Sequence, residues 1–90
     1  MAFSFTHVNF NVLDLSRSME FYARAFDFRE KRRLEASGFT LVYLTDGASD
    51  FELELTYLHE RKEPYNLGEK EFHLALYTDD YAAARAKHAD

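Results

Sequence analysis

Cysteine is absent from these 90 residues. That removes a disulfide framework, a thiolate metal site and a sulfur nucleophile together, so any metal must be held by imidazole and carboxylate. Proline occurs once and glycine three times, too little of either for a disordered or collagen-like chain. Basic residues are outnumbered, 11 Lys and Arg against 16 Asp and Glu, for a net charge of −5. Nucleic-acid backbones and anionic membranes are bound through Lys and Arg, and a chain of this sign is repelled by both. The one basic group, Arg29, Lys31, Arg32 and Arg33, reads as a solvated strand edge where charge discourages stray pairing. Long apolar runs are missing, and residues 1–6 lack the basic start of a secretory leader. A cytoplasmic protein with no membrane partner is the expectation.

What is present is a core's worth of apolar side chains. Hydrophobic residues make up 47% and aromatics 17%, with nine Phe and six Tyr. A chain this short still buries a smaller share of its surface than a full-sized domain and has no disulfide to compensate. Association into a homodimer or larger homo-oligomer is expected.

Residues 3–13 alternate, with Val8, Phe10 and Val12 on one face and His7, Asn9 and Asn11 on the other, the period of a half-buried strand. Asp14 or Ser16 then offers a helix cap, and Leu15, Met19, Tyr22 and Phe26 follow at helical spacing. The spacing predicts further strands over 28–34 and 39–44, joined by a turn at Ala36, Ser37 and Gly38, and a fourth over 51–58. A polar connection over 59–69 holds the only proline and the last glycine. Residues 70–78 then alternate again, with Phe72, Leu74 and Leu76 on one face. Asp79 or Asp80 caps a second, short helix. The fold class is therefore α+β: a β-α-β-β-β module over 1–58, the connection, and over 70–90 the first strand and helix of a second module that goes no further.

His7, Glu54 and His73 each stand mid-strand on the less apolar face. An imidazole and a carboxylate brought together on the concave side of a curved sheet bind a divalent metal and leave positions for water or substrate. An alternating strand whose other face is simply wet gives the same pattern, and strand-borne ligands have no fixed interval that would separate the two readings. Glu52 shares the face of Glu54. His59 in the connection and His88 near the chain end read as solvated, Tyr57 and Tyr77 as packing residues, and Thr56 as a neighbour of the site.

Three segments resemble glyoxalase I (lactoylglutathione lyase) of the vicinal oxygen chelate superfamily. The first runs from His7-Val8-Asn9-Phe10-Asn11-Val12-Leu13-Asp14-Leu15-Ser16-Arg17-Ser18 into Phe21-Tyr22, the second is Glu52-Leu53-Glu54-Leu55-Thr56-Tyr57, and the third is Phe72-His73-Leu74-Ala75-Leu76. The resemblance implies that His7, Glu54 and His73 are three of four ligands to nickel, zinc or cobalt, the fourth being a glutamate near the end of a complete second module. It also implies a thiol-aldehyde substrate, the hemithioacetal of methylglyoxal, isomerised through an enediolate with Glu54 handling the proton. Two departures bear on the thiol. Bacterial members commonly carry arginine where this chain has Asn11 and asparagine where it has Leu58, both contacting glutathione, so poor activity with glutathione and a preference for another thiol are expected. Asp27 stands where the family usually has glycine at the end of the first helix, a position Asp tolerates in the left-handed conformation. Two other activities share the fold, a non-catalytic small-molecule-binding module of the bleomycin resistance kind and an iron-dependent ring-cleaving dioxygenase. Glu54 on the fourth strand paired with His7 on the first favours the lyase pattern.

Overall fold

The computed structural model describes residues 1–89. Strand β1 (His7–Val12) leads into helix α1 (Leu15–Phe26), followed by β2 (Arg29–Ala36), β3 (Phe39–Thr45) and β4 (Glu52–Leu58), with a second helix α2 (Tyr81–His88). The sheet order is β1-β4-β3-β2. β1 runs parallel to β4, while β3 is antiparallel to both β4 and β2. β1 and β2 therefore point the same way at opposite edges, and α1 crosses the sheet between them, as the parallel relation requires of a long crossover.

Each element starts and stops for a local reason. Asp14 caps α1, its Oδ1 accepting from the Arg17 amide at 3.0 Å. The helix closes at Asp27, left-handed at φ 60, whose amide donates to the carbonyl of Ala23. Of the two capping candidates the chain uses Asp14, and Asp27 takes the conformation the sequence allowed it. The β2–β3 turn passes through Gly38 at φ 100, a conformation that side chains resist. Between β3 and β4, the Asp46 carboxylate accepts from the amides of Ala48 and Ser49 and from the Ser49 hydroxyl, each at 2.8 Å. Those bonds, the Ser49 amide first, hold its pKa below the ordinary aspartate value.

The core lies where α1 covers the two central strands. Val42, Leu44, Leu53 and Leu55 are buried, and Val8, Phe10, Val12, Leu15, Met19, Tyr22 and Phe28 pack around them. Cross-strand register brings Val42 to Leu55 and Leu44 to Leu53, with Val8 and Phe10 beyond, so one face of the sheet is apolar from β1 to β3. Fully burying one such side chain is worth about 1.5–3 kcal/mol.

Two expectations are corrected. The first strand spans His7–Val12 rather than 3–13, because its partner β4 begins at Glu52, directly across from His7. The strand expected over 70–78 does not form: those residues carry no strand pairing and are all exposed. Their alternation is as good as that of β1, but a strand exists only by hydrogen bonding to a neighbour, and among the described residues none pairs with this segment. The helix expected after it does form, capped by Asp80, whose Oδ1 accepts from the Ala83 amide at 2.9 Å. It rests on the C-terminal end of α1: Lys87 Nζ lies 2.9 Å from the Asp27 carboxylate, His88 Nε2 lies 2.6 Å from the Ala25 carbonyl, and the His88 ring meets Phe26 edge-on.

Candidate functional site

The face of the sheet opposite α1 carries the polar half of every alternating strand. Because register is known, its rows can be read across. Arg32, Tyr43, Glu54 and Asn9 form one row from β2 to β1; Thr45, Glu52 and His7 form the next, and Leu34, Leu41, Thr56 and Asn11 flank them on the other side. His7 and Glu54 thus share this open face on adjacent strands, one row apart. Leu58 continues the face at its apolar end, opposite Phe39.

Glu52, on this open face, is nonetheless 7% exposed. It is covered by cations: Arg32 reaches it as a fork, Nη2 to Oε1 at 2.9 Å and Nε to Oε2 at 3.3 Å, and Lys31 Nζ stands 3.6 Å from Oε2. The Arg32 bond, with the two positive charges, holds the Glu52 carboxyl below its usual pKa. A carboxylate so engaged is not free to ligate, which removes Glu52 as a substitute for Glu54. The basic stretch is accordingly not a plain solvated edge. Arg32 folds over the open face, its guanidinium 3.6 Å above the Tyr43 ring. Arg33 turns to the helix face, pairing with Glu30 at 2.8 Å and Glu35 at 3.2 Å. Successive strand residues point to opposite faces, which separates the two arginines, and the bulge between Glu30 and Arg32 shifts the register so that Glu30 shares the face of Arg33.

Tyr43 is the feature that sequence reading missed. It faces Glu54 directly, its ring packs edge-on against His7 with centroids 5.8 Å apart at 90°, and Arg32 lies on it. The Glu54 carboxylate beside it, then burial, push the phenol's pKa up. The signal was available in the period of β3, where Leu41 and Tyr43 alternate against Val42 and Leu44, but a tyrosine in an apolar strand reads as packing. Around it, His7 Nδ1 lies 3.1 Å from the Thr6 hydroxyl, the Thr56 hydroxyl donates to Asn9, and Asn9 Nδ2 donates to Asn11 Oδ1 at 2.7 Å. Asn11 is thereby tied into the polar row.

The third proposed ligand does not join the other two. His73 is exposed in the unpaired segment, and no three His, Asp or Glu side chains converge on a metal position among the described residues. The donor types of His7 and Glu54 suit a divalent ion such as nickel, zinc or cobalt, but two donors from one chain do not make a centre, and no step is derived through one. His59 is half-buried rather than solvated, its Nε2 2.8 Å from the Thr40 hydroxyl; Thr40 is buried and needs that partner. His88, also expected to be solvated, is exposed but engaged with the end of α1. Among the described residues no helix is long and apolar enough to cross a membrane.

Comparison with known proteins agrees with this fold. The family model of the Glyoxalase/Bleomycin resistance protein/Dioxygenase superfamily matches residues 4–89. Among solved structures, the trypanothione-dependent glyoxalase I of Leishmania major superposes with a TM-score of 0.82 at 27% identity, covering 98% of this chain and 66% of that one. A mutant glyoxalase I from Zea mays is 31% identical over 64% of this chain and 22% of that one, with a TM-score of 0.57. SMU.1112c, at 21% identity and a TM-score of 0.70 over 99% of this chain, shares the fold. The chain thus spans just under two thirds of the Leishmania enzyme and about a fifth of the maize enzyme. No curated protein matches the sequence.

Proposed function

The chain belongs to the Glyoxalase/Bleomycin resistance protein/Dioxygenase superfamily, and on that premise we propose that it supplies the first half of a glyoxalase I-like lyase acting on the hemithioacetal of a thiol and a 2-oxoaldehyde such as methylglyoxal. The observation that carries the reading is the pairing of His7 and Glu54 on the open face of the β-α-β-β-β sheet, one register row apart. Glu54 is half-buried and the other carboxylate of the strand, Glu52, is held by Arg32 and Lys31, so Glu54 is the carboxylate left to move a proton. In the reaction it takes the proton from the carbon bearing sulfur and hydroxyl and returns it to the neighbouring carbon, while the hydroxyl proton passes to the neighbouring carbonyl oxygen, converting the hemithioacetal to a 2-hydroxy thioester with no net gain or loss of atoms. His7, on the edge strand one row away, would bind beside it.

In this reading the metal, nickel, zinc or cobalt, would be shared. His7 and Glu54 come from one chain, and His73, which this chain does not bring to them, comes from a second copy in a homodimer of the cytoplasm. Turnover with glutathione is expected to be poor, with another thiol preferred. Asn11 offers no cation and Leu58 no amide at the positions where bacterial relatives meet glutathione, and the Leishmania neighbour is described as trypanothione-dependent.

Thioester formation, followed by ultraviolet absorbance with methylglyoxal and either glutathione, trypanothione or a small thiol, tests the reading in the presence of each metal. Turnover with trypanothione or a small thiol that falls about 100-fold or more in Glu54→Gln is expected. Absence of turnover with every thiol and metal, in a protein shown to be folded, would overturn it.

A further inference from the structure

Tyr43 stands at the centre of the open face, and nothing in the packing of that face requires its hydroxyl. A phenylalanine there would keep the edge-on contact with His7 and the face offered to Arg32, since both belong to the ring. The hydroxyl adds one thing, a hydrogen-bond donor directly across the register from Glu54. Cross-strand partners are the closest neighbours a sheet provides, and a phenol donating to a carboxylate makes a charge-assisted bond, stronger than one between neutral groups. The ring itself is braced. The Arg32 guanidinium lies 3.6 Å above it and the same group makes the forked bond to buried Glu52, so an ion pair between β2 and β4 covers the ring.

We infer that Tyr43 is a positioning residue: its hydroxyl occupies one oxygen of the Glu54 carboxylate while its ring packs against His7, leaving the other carboxylate oxygen for the metal position and the reacting groups on the open sheet. Glu54 is a carboxylate on a flexible stem. With one oxygen tied, its plane is set, and the freedom lost is that which would otherwise have to be lost in reaching the transition state. The Arg32–Glu52 pair serves the same end one step removed, by covering the Tyr43 ring. This deepens the reading of Glu54 as the proton-transfer residue and rests on it.

The test is Tyr43→Phe in the full chain, read two ways. In turnover, kcat is expected to fall about 10-fold while KM stays within about 2-fold, because a bond to a charged group is lost without altering where substrate binds. Arg32→Met is expected to lower kcat by a smaller factor. Equal kcat in Tyr43→Phe and wild type, with Glu54→Gln inactive, would overturn the inference and leave the role of Glu54 standing. The second readout needs no activity. With tyrosine labelled at the ring carbon that bears oxygen, the Tyr43 resonance at neutral pH is expected to shift in Glu54→Gln and to shift less in Glu52→Gln. An unmoved resonance in Glu54→Gln would overturn the inference even if no thiol were turned over, an outcome that by itself would count against the lyase reading instead.

Discussion

The stretch from β1 to β4 and the stretch after it are written in the same pattern language and fold to different degrees. Both have an alternating segment and an aspartate-capped helix. In the first, every buried residue among those described is found, Thr40, Val42, Leu44, Glu52, Leu53 and Leu55, all on the two central strands. In the second, Phe72, Leu74, Leu76, Tyr77 and Tyr81 are exposed, and α2 is held by Lys87 and His88 at the end of α1. What separates them is not propensity but company. A strand gains its hydrogen bonds and its dry face from neighbours, and β4 has two where 70–78 has none among the described residues. The lesson extends to the site, since His7 and Glu54 sit on the paired stretch and share a face, whereas His73 sits on the unpaired one and does not.

The largest test of that contrast is a pair of truncations. Leu55→Ala removes a side chain that is 0% exposed and is expected to cost about 2–5 kcal/mol in urea denaturation. Leu74→Ala, made in the second stretch, should stay within about 0.5 kcal/mol. Comparable losses would mean that 70–78 is packed in solution and the contrast is false.

Next come the two helix caps, alike in geometry. Asp14→Ala is expected to lower global stability by about 1 kcal/mol, since α1 covers the core. Asp80→Ala should leave global stability unchanged and instead speed amide hydrogen exchange over 81–88 alone. A global loss from Asp80→Ala would show α2 to be part of the same cooperative unit.

Acid sharpens the comparison further. The pKa of Asp46 is depressed by the bonds of the β3–β4 turn, so its contribution is complete above the unfolded value of about 4 and is lost as pH falls through the folded value below it. The melting-temperature difference between wild type and Asp46→Ala should therefore be constant from about pH 7 to pH 5 and shrink below about pH 4. A difference that persisted at pH 2 would assign the effect to something other than the charge.

The smallest effect belongs to the tether. Lys87→Ala breaks an exposed ion pair with Asp27 and is expected to change global stability by less than about 1 kcal/mol. It should raise exchange in α2, and added salt should do the same in the wild type. Salt-insensitive protection of α2 would point to the Phe26–His88 contact as the real anchor.

The sequence by itself determined the module. Alternation in β1, β3 and β4, the helical spacing from Leu15 to Phe26, Asp14 and Gly38 placed the β-α-β-β-β elements to within a few residues, and the wording of three segments pointed to the superfamily that the family model matches. Those signals are local, set by a side-chain period or a single backbone conformation. Tertiary structure decided whatever depended on a partner from elsewhere in the chain. It denied pairing to 70–78, withheld His73 from His7 and Glu54, took Glu52 out of contention by binding it to Arg32 and Lys31, and gave His59 to Thr40. Tyr43 is the clearest instance, because a period of two says which face a residue occupies, and only the register says which residue stands opposite it.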